Sequence, residues 1–219
     1  MMKKIVSICV VVIAIVVLGV MVSADSYKSL FEQAGDAYRE WQSSDNGIST
    51  HSNNNNDIVA IYKDNEITKA RVEYEKEVTA LFDPAGEPLD DESAIQRIIT
   101  NIIITEEAER LGLTATQDEI DDMVNMTKEA YELPSGKEML DEYFNAIGIT
   151  SEEYFEIVRE QAPNMIARQK LKDAIGMEYC EENNIEFTKI NQPEELKAAV
   201  NAYINDLFEK EQDNIIYID

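Results

Sequence analysis

Two stretches of this chain repeat one local instruction: end a helix at a glycine, then start another a few residues later. The first is EEAERLGLTATQDE (106–119) and the second is YFNAIGITSEE (143–153). Glycine suits the left-handed position just past a helix because it has no Cβ to clash. Thr116 with Glu119, and Thr150 with Glu153, have the spacing of a capping box, in which each side chain satisfies an orphan backbone N–H of the next helix. The middle of the chain is therefore expected to be short helices joined by tight elbows at Gly112, Thr116, Gly148 and Thr150. That is a mainly α scaffold, and no catalytic motif accompanies it.

The first 24 residues stand apart. Lys3 and Lys4 precede eighteen uncharged residues, 5–22, rich in valine and isoleucine. The length suits a short membrane-spanning helix. Val22-Ser23-Ala24 equally offers the small residues of a signal cleavage site. The stretch is thus either a retained anchor or a cleaved signal. Both place the rest outside the cytoplasm, tethered to the membrane face (N-in, C-out) or secreted, because the positive charges precede the apolar run. Cys9 follows Ile8, a residue too large for a lipoprotein site, and Cys180 is the remaining cysteine, so no internal disulfide is expected.

All 44 acids and 17 of the 19 bases follow residue 24, a net charge of −27 on that part. Nucleic acids and anionic lipid surfaces need basic patches, so both are excluded as partners. The charge is compatible with basic clients, loosely held divalent cations, or solubility alone. No glycine-rich phosphate loop, metal-spaced His/Cys cluster or Gly-x-Ser-x-Gly elbow occurs, so no cofactor, metal or catalytic residue is expected. His51, the one histidine, lies in a polar Asn-rich tract. Paired acids such as Asp121-Asp122 point about 100° apart on a helix and read as solvated faces.

Residues 25–42 carry Tyr27, Leu30, Phe31, Ala34, Tyr38 and Trp41 at helical spacing. This amphipathic helix either lies on a membrane or packs on the downstream domain. Residues 43–56 form a low-complexity linker. The domain at 57–219 opens with a β-branched strand, 58–62, then a turn at 63–66 and a lead-out at 67–68. Helices are expected at 69–82, 91–111, 117–132, 137–147, 151–175 and 194–212, with a loop at 83–88. The 98–104 centre of the second is apolar nearly all round and reads as a buried spine. Residues 133–136 should break one helix, Pro163 should bend or interrupt another, and 176–192 is a connector. The closing 214–219 segment reads as a strand. Two lone strands need partners for their N–H and C=O groups, so 58–62 is expected to pair with 215–218.

The strand-turn DIVAIYKDNEIT, the EEAERLGLTATQDEID elbow and FNAIGITSEEYFEIVREQ, in that order, resemble the N-terminal helical domain of the SurA/PrsA family of extracytoplasmic chaperones and foldases. The resemblance covers 58–219 and implies a SurA N-like helical fold whose last helix and strand return to the first strand. Relatives usually insert a parvulin isomerase domain where this chain has the 17 residues 176–192. The resemblance therefore implies a chaperone that binds unfolded or exported polypeptides, without isomerase activity. The adaptable surface this needs has candidates in Met123, Met126, Met139, Tyr143, Tyr154 and Met165, each of which at helical spacing could instead fill the core. An envelope adaptor holding one specific partner is the alternative.

Overall fold

The computed structural model describes residues 24–45, 57–82, 87–189 and 192–218. The N-terminal hydrophobic segment and most of the Asn-rich linker lie outside them. Seven helices are α1 (Ala24–Asp45), α2 (Lys69–Phe82), α3 (Asp91–Arg110), α4 (Gln117–Glu132), α5 (Pro134–Ile147), α6 (Ser151–Asn183) and α7 (Glu194–Glu211). Three strands, β1 (Ile58–Tyr62), β2 (Asn65–Thr68) and β3 (Ile215–Tyr217), form an antiparallel sheet in the order β2-β1-β3. No helix among the described residues is long and apolar enough to cross a membrane.

The two ends of the domain pair as the lone strands require. Ala60 faces Tyr217, Ile61 faces Ile216 and Tyr62 faces Ile215. The Ile218 N–H adds a bond to the Val59 carbonyl at 2.9 Å. The sequence pattern suggests a turn at residues 65–66. They instead extend a hairpin strand, because the turn needs only Lys63-Asp64, with Lys63 at φ 53. A non-glycine residue in this region is strained by about 1–2 kcal/mol, and the Lys63 side chain offsets the strain. Its ammonium lies 2.8 Å from Glu106 and 3.0 Å from Glu211, near the C-terminal ends of α3 and α7. The Tyr62 hydroxyl lies 2.9 Å from Glu211 and 3.2 Å from Glu106 and shares its proton between them. Burial, with Glu211 and Glu106 beside it and Lys63 opposing, pushes the Tyr62 phenol up to about 12.

Three hydrophobic cores form, each joined to the next by a shared helix. The first holds Phe31, Ala34, Tyr38 and Trp41 of α1 with Tyr74, Val78, Leu140, Tyr143, Phe144, Tyr154 and Phe155. So α1 packs on α2 and α5, and its apolar face is covered by protein. A Cβ on Gly35 would come within 2.4 Å of the Ala146 Cβ, which is how closely α1 and α5 approach. The second core lies under the sheet: Ala60, Tyr62, Ile67 and Val72 meet Ile95, Ile98, Ile99, Ile103 and Phe208. The third packs Ile104 and Ala108 of α3 against Ala167, Leu171, Ile175 and Cys180 of α6 and Leu196, Val200 and Ile204 of α7.

Gly112 and Gly148 have φ of 72° and 74°. At the first elbow the Gly112 N–H donates to Glu109 and the Leu113 N–H to Ala108, at 3.0 and 2.8 Å, which satisfies two of the helix's last carbonyls. Both capping boxes are formed. A third elbow is written without glycine: Asn184 sits at φ 54 and the Ile185 N–H donates to Cys180 at 2.9 Å. Asparagine is one of the few residues that tolerates this conformation.

Four expectations need correction. Helix α1 runs through Asp45, into the segment read as linker. The break at 133–136 is one residue wide: Leu133 ends α4, and Pro134 opens α5, where its missing N–H costs nothing. Gly136 permits the tight join, since a Cβ there would lie 1.9 Å from the Ala130 carbonyl oxygen. Helix α6 passes through Pro163 without interruption and continues past Ile175 to Asn183. The proline's cost of about 3 kcal/mol is offset by burial on both sides of it, Tyr154 to Ala162 before and Ala167 to Cys180 after. Gly176 does not end α6. It lets Phe187 fold back, because a Cβ would meet that ring at 2.9 Å.

Two measurements check these interactions. A chain ending at Asn214 loses β3 and should melt several degrees lower, whereas an unchanged Tm would refute the importance of the pairing. Glu119 is held down to about 2 by Lys170 and then by the Thr116 N–H and hydroxyl. An unfolded glutamate titrates near 4.3, so this contribution is complete above that pH and is lost as pH falls toward about 2. Glu119→Gln should therefore lower Tm at pH 6 and by much less at pH 2. An equal gap at both would sink the assignment.

Candidate functional site

A cleft of about 670 Å³ opens between α3 and α6, with Met123 of α4 and Ile204 of α7 contributing to its walls. Helical periodicity builds it. On α3, Ser93, Gln96, Arg97, Thr100 and Asn101 recur at three- and four-residue spacing, and on α6 so do Met165, Arg168, Gln169 and Lys172. Two polar stripes thus face one space, while the opposite face of α3 (Ile95, Ile98, Ile99, Ile103) is buried. The expected all-round apolar spine is therefore one-sided: Thr100 and Asn101 are only half-buried and line the cleft.

The apolar lining comes from all three cores. Met123 and Met165 lie against the first, Leu89 against the second, and Ile104 and Ile204 belong to the third. The cleft is the place where those cores do not meet.

Its charge is opposite to that of the rest of the protein. Arg97, Arg168 and Lys172 line it and no carboxylate does. Arg168 is 8% exposed. Arg97 is fixed through its Nε–H, which donates to Glu75 at 2.8 Å. Glu75 also takes Arg71 at 3.4 Å, and the Arg71 guanidinium lies 5.0 Å over the Trp41 ring. This chain of contacts connects α1, α2 and α3 to the cleft wall. Lys172 is exposed to solvent and has no hydrogen bond or ion pair among the described residues. The protein around it pushes its pKa below the ordinary lysine value, and Arg168 and Arg97 push it further the same way.

Of the residues chosen from sequence, the structure brings Met123 and Met165 together in the cleft. Met126 is exposed, at 64%, away from the lining, and Met139 is half-buried against the first core. Tyr143 and Tyr154 are fully buried in that core, with rings 6.2 Å apart edge-to-face, so they cannot meet a client. Gly112, Thr116, Gly148 and Thr150 build the elbows. The first elbow is gripped by Lys170 of α6, which bonds the Thr114 carbonyl at 2.9 Å and Glu119 at 2.7 Å. Cys180 is buried in the third core, and no metal-binding group of side chains occurs among the described residues.

Sequence reasoning missed Arg97, Arg168 and Lys172, although a signal exists. Residues 93–105 and 161–172 are the two longest acid-free runs after residue 24, and they hold four bases. These runs face each other across the cleft. No protein-family model, curated protein or solved structure matches the chain.

A cation held beside like charges with no counter-ion of its own destabilises the fold that carries it. Lys172→Met should therefore raise Tm slightly at pH 7, despite making the protein more acidic. The gain should fade as pH rises toward the unfolded lysine value near 10.4, because the lysine in both states then loses its charge. A lower Tm for the variant at pH 7 would show that Lys172 has a structural partner.

Proposed function

We propose that the chain is an extracytoplasmic, membrane-tethered or secreted chaperone-like protein that binds unfolded or exported polypeptides, without isomerase activity. The observation that carries this reading is the open cleft whose lining combines the thioethers of Met123 and Met165 with the amides of Gln96, Asn101 and Gln169. Thioethers adapt to varied apolar groups, and Gln96 and Asn101 offer donors and acceptors to an extended backbone. The volume falls within the range of about 300–1,000 Å³ common for ligand pockets. The resemblance to the SurA/PrsA N-terminal domain supports the same reading. So does the short α6–α7 connection, which leaves no room for an inserted isomerase domain.

The edge strand β3 favours a second reading, an envelope adaptor. Ile216 and Tyr217 are 60% and 52% exposed, and an exposed apolar edge is a template for one partner's strand.

The test is aggregation of a denatured model protein in the presence of the full chain in mild detergent, without ATP. Suppression is expected, persisting at ~1 M salt for neutral clients and weakening for basic ones, because the Debye length falls to about 3 Å there. No suppression at any salt, with one folded envelope protein retained in a pull-down, would replace the chaperone reading with the adaptor.

A further inference from the structure

We propose that the cleft recognises the free C-terminal carboxylate of an apolar polypeptide segment, seated between Arg97, Arg168 and Lys172 with its last side chains against Met123 and Met165. The inference rests on the polypeptide-binding reading and names the group that anchors the client.

Three cations converge in a cleft that no carboxylate lines, in a chain of net charge −25. Arg168 and Lys172 are one helical turn apart on α6, and such like-charged neighbours repel. An anion placed between them turns the repulsion into attraction and supplies the counter-charge that Lys172 lacks among the described residues. Guanidinium groups match a carboxylate's two oxygens, and charge-assisted bonds of this kind are about twice as strong as neutral ones. The lining therefore combines three cations with the apolar side chains of Leu89, Ile104, Met123, Met165 and Ile204, which is the chemistry of a carboxylate attached directly to a hydrophobic chain end.

The acidic exterior decides which carboxylate fits. It repels segments rich in Asp and Glu, so a client with many acids is kept away. The terminal carboxylate is different, because every polypeptide carries one whatever its composition. Screening over about 8 Å at physiological salt confines the unfavourable field to the surface, and inside the cleft the three nearby cations dominate.

The experiment uses the full chain in mild detergent and an N-terminally labelled, neutral, apolar peptide, followed by fluorescence anisotropy. The peptide is made with a free C-terminal acid, with a C-terminal amide, and with the amide plus one internal Glu. The wild-type protein should bind the acid about tenfold or more tighter than either other form, from the charge-assisted bonds the amide cannot make. Lys172→Met and Lys172→Gln should bring the acid-to-amide ratio toward one. Lys197→Met makes the same charge change outside the cleft, at an exposed lysine paired with Glu194, and should keep the preference. Equal binding of acid and amide by the wild type overturns the inference, as does an undiminished preference in both Lys172 variants. An internal Glu as good as the free acid overturns the assignment to a chain end. If aggregation is suppressed but no acid preference exists, this inference alone fails. If neither peptide binds and no aggregation is suppressed, the polypeptide-binding reading fails with it.

Discussion

The separation of three hydrophobic cores is the constraint on which the rest of this structure depends. Each core is closed on its own, and helices α2, α3, α6 and α7 carry residues of two cores apiece. Val72 of α2 lies in the second and Tyr74 in the first, and Ile103 of α3 lies in the second and Ile104 in the third. Helix α6 gives Tyr154, Phe155 and Val158 to the first core and Ala167, Leu171 and Ile175 to the third. Pro163 falls between those two groups, where one lost backbone bond is spared the middle of either core. A gap remains where the cores would otherwise fuse. Thr100, Asn101, Gln169 and the three cations line it, and closing it would strip water from these polar and charged groups at a cost greater than the apolar contact regained.

Charge is distributed to match. The exterior is densely acidic, and its cations are mostly committed locally, as Lys63 is to Glu106 and Glu211 and Lys170 is to Glu119. The cleft holds the exception. Two acid-free runs, distant in sequence, meet there where α3 packs on α6. A buried arginine beside a lysine with no ion pair among the described residues is a stability cost, and such costs commonly collect at functional sites. A carboxylate seated between the two would offset this one.

The elbows and the sheet hold this arrangement in register. Schellman-type bonds and capping boxes orient α4 and α6, and the Lys170 grip on Thr114 and Glu119 keeps the first elbow on α6. At the other end, β3 returns to β1 beside the Tyr62-Lys63 contact with the C-terminal ends of α3 and α7. These ion pairs are partly exposed and each contributes at most about 1 kcal/mol. Their effect is chiefly positional, fixing where helices end relative to one another.

Local chemistry made much of the fold legible in the sequence alone. Glycine's freedom at positive φ, the Thr-x-x-Glu cap spacing and the need of lone strands for partners are properties of a few neighbouring residues or of the backbone itself. Helix identities, both glycine elbows and the β1–β3 pairing follow from them. The hairpin strand β2 and the asparagine elbow were not legible because neither carries the glycine that usually marks a positive φ, and the extension of α6 through Gly176 was not because it depends on Phe187 folding back. Gly176 reads as a stop until Phe187 is known to lie on it, and Asn184 is an ordinary polar residue until Ile185 reaches back to Cys180. The same holds for the site. The search for adaptable apolar side chains pointed to Met123 and Met165 but equally to Tyr143 and Tyr154, since helical spacing does not say which face a neighbouring helix covers. The acid-free runs were visible, but that Arg97, Arg168 and Lys172 line one shared space was decided only by tertiary packing, which joins α3 and α6 in the third core and leaves a gap where the three cores do not meet.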